Sequence, residues 1–315
     1  MMNELRLPSN VEHCERILVS GAGGGFDVYA GVAIYERLRR LGKKAFLSNL
    51  SFTLLEATNA EKLGRALYVV QPTTTGADVY FPERGLSQFL SSPGNEVDVY
   101  AIAKLGVVPV REAYTQLVES LRLDAIVLVD GGTDILLRGD EQQLGTPAED
   151  MTSLAAVAAL ELPTRLVACV GFGIDTFHGV CHANWLENVS ALIREDALLG
   201  VTALLKTMPE VELYLRAVEA AECGVLRQPS IVNASIASAI EGHFGDYHRG
   251  PRTHDSTLFI NPLMNLLWMF DLPAVARRNL YLSCLAQTET IWDVHRAITE
   301  FHSSIRHRPP QTIPH

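Results

Sequence analysis

Three times along this chain a short apolar run breaks into glycines and then meets an aspartate. Ile17-Leu18-Val19 leads to the segment GAGGGFD at 21–27. The run DAIVLV, from Asp124 to Val129, leads to DGGTD at 130–134. Arg165 to Val170 leads to GFGID at 171–175. Helical patterns follow the first two runs. One spans Val28 to Leu41, with apolar Val32, Ile34, Tyr35, Leu38 and Leu41, and stops at Gly42; the other spans Pro147 to Leu160. Strand, glycine loop, helix, strand is a βαβ unit, and right-handed crossovers return the chain to the same starting edge. The three runs are therefore expected to be parallel members of one sheet, with their glycine loops on its carboxyl edge. Gly24, Gly132 and Gly173 should line a common pocket there, faced by Asp27, Asp130 and Asp175.

Ala45–Leu50, Ala66–Val70, Val79–Phe81 and Val97–Ala103 read as further strands, and Val110–Leu121 as a helix. From about Ala183 to Gly242 the pattern is largely helical. Thr257–Ile260 reads as a last strand, followed by one helix after Pro262 and another from Thr290 to about Ser304. These readings give a single α/β domain over 1–305 with a helical elaboration at about 183–250. The proline-rich stretch 306–315 is expected to be a disordered tail.

Of the 315 residues, 48% are apolar, enough for a sizeable core. The formal net charge of −10 argues against nucleic acid and against an anionic membrane surface, both of which attract cationic faces. Cys14, Cys169, Cys181, Cys223 and Cys284 form no C-x-x-C pair, as in reduced cytoplasmic proteins. Met1 to Asn10 has no apolar core of a signal peptide, and the apolar stretch Leu258–Phe270 is too short to span a bilayer. The expected partner is a small-molecule ligand, with homo-oligomerisation left open and the cytoplasm as location.

Glycine lets a backbone approach a ligand closely, so Gly21, Gly23, Gly24, Gly25, Gly131 and Gly132, with Asp27, Thr133 and Asp134, are the candidate cofactor-binding set. A dinucleotide reading of the first loop meets three objections. Phe26 stands where the third glycine belongs, Asn49-Leu50-Ser51 replaces the ribose-binding acid, and a carboxylate at Asp27 repels a pyrophosphate. Asp27 also suits a helix N-cap. Asp130 at a strand tip suits a ligand hydrogen bond or a hydrated divalent cation; Asp140 and Glu141 read as solvated loop charges. In the segment 173–188, Asp175, His178, Cys181 and His182 fall close together. Neutral histidines around a polar ligand are preferred to a zinc site, so no metal is assigned. The candidate catalytic groups are Asp130, Asp175, His178 and His182, with one imidazole expected to reach Asp175 or Asp130 directly or through one water. A second polar cluster, His243, Asp246, His248 and His254, sits in a loop with Arg249 and Arg252 that suits either a lid or a plain surface loop.

Taken together, GAGGGFD, DGGTDILLRGDE and GFGIDTFHG resemble the family called domain of unknown function 1152, from about Ile17 to Phe301. The resemblance implies a Rossmann-like α/β fold, an open, mainly parallel sheet with helices on both faces and a helical C-terminal part, and carries no established activity or cofactor. The sequence departs from the family pattern after Asp175, where a more acidic continuation than Thr176-Phe177-His178 is expected. The residues themselves point to an enzyme acting on a small polar metabolite, nucleotide- or sugar-like, by acid–base or group-transfer chemistry. The alternatives are an NAD(P)-dependent oxidoreductase and a non-catalytic ligand-binding or sensor protein.

Overall fold

The computed structural model describes residues 4–76, 80–223 and 229–313. Nine strands form one sheet: β1 (Arg16–Gly21), β2 (Lys44–Ser51), β3 (Glu61–Lys62), β4 (Leu67–Val70), β5 (Val99–Ala103), β6 (Ala125–Asp130), β7 (Thr164–Cys169), β8 (Leu198–Ala203) and β9 (Leu266–Asp271). Their order across the sheet is β3-β4-β5-β2-β1-β6-β7-β9-β8. The central strands β5, β2, β1, β6 and β7 are all parallel to one another, and only β4 and β9 run against them. The expected parallel alignment of β1, β6 and β7 is therefore present, and the three strands are immediate neighbours.

The strands alternate their side chains between two cores, as a sheet covered on both faces requires. Leu18, Leu128 and Val167 point to one core, shared with the helices Val107–Leu121 and Pro147–Ala158. Val19, Val127, Val129 and Ala168 point to the other, shared with helices Asp27–Ala30, Val32–Arg40 and Pro209–Cys223. The connection leaving β1 thus crosses one face and the connection leaving β6 crosses the opposite face. The carboxyl ends of these adjacent strands flank a topological switch point, where ligands of open α/β sheets bind.

Several expected elements differ. The first helix is split at Gly31, where a Cβ would stand 2.7 Å from a Val19 methyl; the missing side chain lets helix and strand approach. Within the stretch read as helical lies β8, an edge strand whose half-exposed residues give no clean alternation. Thr257–Ile260 forms no strand beyond a bridge from Ile260 to Gly245. The last strand is β9, whose Leu267, Met269 and Phe270 are buried, and the expected helix after Pro262 comes only behind it, at Leu272–Arg278. The expected strand at Val79–Phe81 begins outside the described residues, and Phe81 directly precedes the helix Pro82–Leu90. In the tail, Arg308 is held by Asp140 and Glu141, both at 2.8 Å, and by Glu187. This anchorage was hidden in a proline-rich sequence because its partners lie far away in the chain. Among the described residues no helix is long and apolar enough to cross a membrane.

Candidate functional site

Five aspartates gather at the carboxyl edge around the switch point. Asp130 is the last residue of β6. Asp27 opens the helix after β1, Asp134 and Asp175 lie on the short 3-10 turns after β6 and β7, and Asp150 lies on the helix Pro147–Ala158. Asp130, Asp134, Asp150 and Asp175 are buried, and Asp27 is half-buried.

Backbone and hydroxyl donors satisfy part of this charge. Of the two roles open to Asp27 it does not take that of helix cap; its carboxylate turns back to accept the Gly23 N–H at 2.7 Å. Asp175 accepts from the Thr133 N–H at 2.7 Å and the Thr133 hydroxyl at 3.1 Å, which ties the β6 and β7 loops together. The Ile135 N–H reaches Asp130 at 3.2 Å, and the Thr146 N–H reaches Asp134 at 2.7 Å. Asp150 differs: its Oδ1 is buried and accepts no hydrogen bond.

The glycines explain how the carboxylates come so close. A Cβ on Gly23 would stand 2.8 Å from both Asp150 oxygens and from Asp27 Oδ2. On Gly131 it would meet Asp27 Oδ1 at 2.9 Å, and on Gly132 it would meet Asp130 and Asp175 oxygens at 3.0 Å. The glycine loops thus cradle the protein's own carboxylates.

Burial without enough compensating charge raises these acids. Asp27 is pushed up to about 7, first by burial and then by the charge of Asp134. Asp130, Asp150 and Asp175 stand well above the ordinary carboxylate range, each through burial and then through neighbouring aspartates. Asp134 is raised by its burial as well, and is the neighbouring charge that acts on all four others.

A cavity of about 930 Å³ opens over this edge. Asp27 and Asp175 line it together with Gly24 and Gly25, whereas Gly132, Gly173 and Asp130 lie behind the lining. Phe52, Tyr80 and Phe177 give it aromatic walls, and Ser230 to Val232, at the start of the helix Ile231–Glu241, line it too. Arg252, Thr253, Asp255 and Ser256, from the long polar loop, form the rim. The histidines of that loop are used internally: His248 contacts Thr253 and Asp246, and His243 stacks on Tyr247 at 3.7 Å.

The two central histidines part company. His178 is exposed and lines the cavity. His182 packs against the Phe172 ring at 5.0 Å, and burial lowers its pKa. Neither imidazole hydrogen-bonds directly to a carboxylate among the described residues, and the nearest charge effect is that of His178 on Asp134. His182 begins a new helix and its ring turns to the apolar Phe172, while Gly179, at φ +82°, ends the turn that carries His178. Asn49, at the place of a ribose-binding acid, is buried and spends its amide on the Gly25 carbonyl at 2.8 Å and Glu83 at 2.7 Å. The readings of Asp140 and Glu141 change. Glu141 is not a solvated loop charge; it is 1% exposed and accepts the Arg138 and Gly139 N–H groups at 3.0 and 2.7 Å. Asp140 pairs with Arg138 and Arg308 rather than with water alone.

Asp150 is the functional candidate that the sequence reading passed over. A signal existed: it lies four residues before Leu154 and seven before Val157, on the buried face of its helix, where a charged side chain needs a reason.

The sequence profile of the family described as "Protein of unknown function (DUF1152)" matches residues 18–304. The chain belongs to the DUF1152 family. No curated protein and no solved structure matches it. All three glycine–aspartate loops, Asp150 and the cavity rim fall inside the part that defines DUF1152.

Proposed function

We propose that this DUF1152 protein is an enzyme acting on a small polar metabolite, nucleotide- or sugar-like, by acid–base or group-transfer chemistry at the carboxyl edge of a Rossmann-like sheet. The observation that carries this reading is that Asp27 and Asp175, from loops after two different parallel strands, face one cavity of about 930 Å³. Such a volume suits a ligand of nucleotide size. A flat or apolar portion of the metabolite would lie against Phe52, Tyr80 and Phe177, and an anionic group would find Arg252 at the rim. Hydroxyl or amine groups would meet the two carboxylates.

Asp175 is the candidate for proton transfer. Its Oδ2 is held by the Thr133 N–H and hydroxyl, which fixes the carboxyl group in place. Burial and the surrounding aspartates raise its pKa well above the ordinary carboxylate range, which favours the protonated form that donates to a leaving group as a general acid. His178, also on the cavity wall, is the second candidate for proton exchange.

The test is a panel of nucleosides, nucleotides and sugar phosphates screened by thermal shift, with NMR of the incubated mixtures to detect conversion. At least one member should raise the melting temperature and be converted. Asp175→Asn should keep that binding and lose the conversion. A ligand bound but never converted would identify a binding protein instead, and a panel without any shift would remove the metabolite reading.

A further inference from the structure

We infer that Asp27, Asp130 and Asp150 form a binding site for one hard divalent cation, of the magnesium or manganese class, at the inner end of the cavity. The inference deepens the enzyme reading above and rests on it only for what the ion would do there. Each aspartate offers one carboxylate oxygen, and the three oxygens lie within 4.8 Å of one another. Ligands on opposite sides of an octahedral magnesium ion are about 4.2 Å apart, and about 4.8 Å apart around calcium. Oxygens within this bound can converge on a single ion.

The three groups arrive from separate layers. Asp27 comes from a helix on one face of the sheet, Asp150 from a helix on the other face, and Asp130 from the tip of the strand between them. Gly23 leaves the space where they meet open, since any Cβ there would stand 2.8 Å from both Asp150 oxygens and from Asp27.

The independent sign of a missing partner is Asp150 itself. It is 3% exposed, and its Oδ1 accepts no hydrogen bond. Buried carboxylates are paired, hydrogen-bonded or bound to a metal, because an isolated one costs several kcal/mol. The nearby lysine does not serve: Lys104 pairs with Glu149 at 3.5 Å. No lysine, arginine or histidine forms an ion pair with Asp27, Asp130 or Asp150 among the described residues. The donors are all carboxylate oxygens, with no imidazole or thiolate, which selects a hard cation over zinc. Because Asp27 also lines the cavity, free coordination positions of the ion would be open to water or to an oxygen of the metabolite. There it would neutralise developing negative charge, while proton transfer stays with Asp175.

Mn2+ is the probe. The full chain, stripped with EDTA and dialysed, is titrated with Mn2+ while EPR follows the free aquo ion. About one ion per chain should bind, and Mg2+ should displace it. Asp150→Asn and Asp130→Asn keep side-chain volume and remove one charge each. Both should weaken Mn2+ by more than the roughly 10–100-fold that loss of a hydrogen-bond partner to a metal ligand costs. Circular dichroism in EDTA checks that these variants are folded. Asp98→Asn, just before β5 on the opposite edge of the sheet, should bind Mn2+ as the wild type does. Absence of Mn2+ binding, or binding unchanged in both Asp150→Asn and Asp130→Asn, overturns the site. The two readings fail separately. Conversion of a metabolite in EDTA with no Mn2+ uptake removes the cation and leaves the enzyme. Mn2+ uptake lost in Asp150→Asn, with no metabolite bound, keeps the cation site and removes the enzyme reading.

Discussion

Two buried acidic regions of this chain solve the same electrostatic problem in opposite ways. Around Glu141 every charge is answered. Its carboxylate accepts two backbone N–H groups and the Asn188 amide at 2.7 Å, and Arg308 closes on it at 2.8 Å. Around Asp150 nothing answers: the group is as deeply buried, its nearest charged neighbours are other aspartates, and its pKa is driven well above the ordinary range. A buried acid with its cation in place is a structural joint, here fastening the C-terminal segment to the loop after β6. A buried acid whose neighbours repel it raises the folded state's free energy, and a fold keeps such a group where a ligand relieves it.

The largest expected effect tests the first half of the contrast. Glu141→Ala leaves Arg308 facing Asp140 and Glu187 only, and leaves two backbone N–H groups and the Asn188 amide without their acceptor. Loss of one partner of a buried ion pair costs about 3 kcal/mol or more. Urea unfolding should show that loss, and a change below about 1 kcal/mol would mean that the joint carries little of the fold. Asp150→Asn should act with the opposite sign. In EDTA, removing the unanswered charge should stabilise the chain by roughly 0.5–2 kcal/mol, the range of single stabilising substitutions. Destabilisation in EDTA would show that Asp150 has a stabilising partner of its own.

The third effect is the pH dependence of the metal-free protein. In the unfolded chain the aspartates ionise near pH 4. In the folded chain Asp27 holds its proton up to about 7, and Asp130, Asp150 and Asp175 are raised too. Between these limits the folded state binds protons that the unfolded state has released. The stability from this source is thus fully present below about pH 4 and is lost as pH rises through the folded pKa values. Urea midpoints in EDTA should fall from pH 5 to pH 8, by about 1 kcal/mol per pH unit for each retained proton. The fall should be shallower in Asp150→Asn. A flat or rising profile would contradict the raised acids.

What could be read from the sequence follows from how local each cause is. β1, β6 and β7 were legible because strands buried on both faces are continuous apolar runs, and the glycines after them mark where the chain must turn. β8 was not, because an edge strand that is half-exposed lacks the alternation that marks a strand. The Asp27, Asp130 and Asp175 loops could be placed on one edge by topology alone. Their glycines could be recognised as close-approach positions, but not that the approaching group is another aspartate. Glu141 sits among Arg138, Asp140 and Gln142, a run that reads as solvated, and its burial depends on Arg308, more than a hundred residues away. His178 and His182 lie close in sequence, yet two residues on either side of a glycine turn face different surroundings, which spacing alone does not show.

Asp134 lies between the two extremes, and its variant should have the smallest effect on stability. Its carboxylate accepts the Thr146 N–H at 2.7 Å and the Thr146 hydroxyl at 3.3 Å, so it is partly answered by donors. Gly145, at φ +70°, brings the backbone so near that a Cβ would overlap it, and this fixes the side chain in place. Yet Asp134 is also the charge that raises Asp27, Asp130, Asp150 and Asp175. Asp134→Asn retains an oxygen for the Thr146 N–H but turns a charge-assisted bond into a neutral one, a loss of about 1 kcal/mol. It also removes repulsion from four neighbours, a gain of similar size at neutral pH. The two effects nearly cancel, and the unfolding midpoint in EDTA should move by less than about 0.5 kcal/mol. The cancellation can be taken apart by its pH dependence. At pH 5 Asp27, raised to about 7, is largely protonated, so the repulsion is weaker and the loss weighs more, and the variant should be less stable than the wild type there. At pH 8 the gain dominates and the order reverses. Carbon-detected NMR of the aspartate carboxyls should show Asp175 and Asp130 titrating at lower pH in the variant. If their titrations do not move, Asp134 is not the charge that couples the cluster, and the contrast between answered and unanswered acids loses its electrostatic basis.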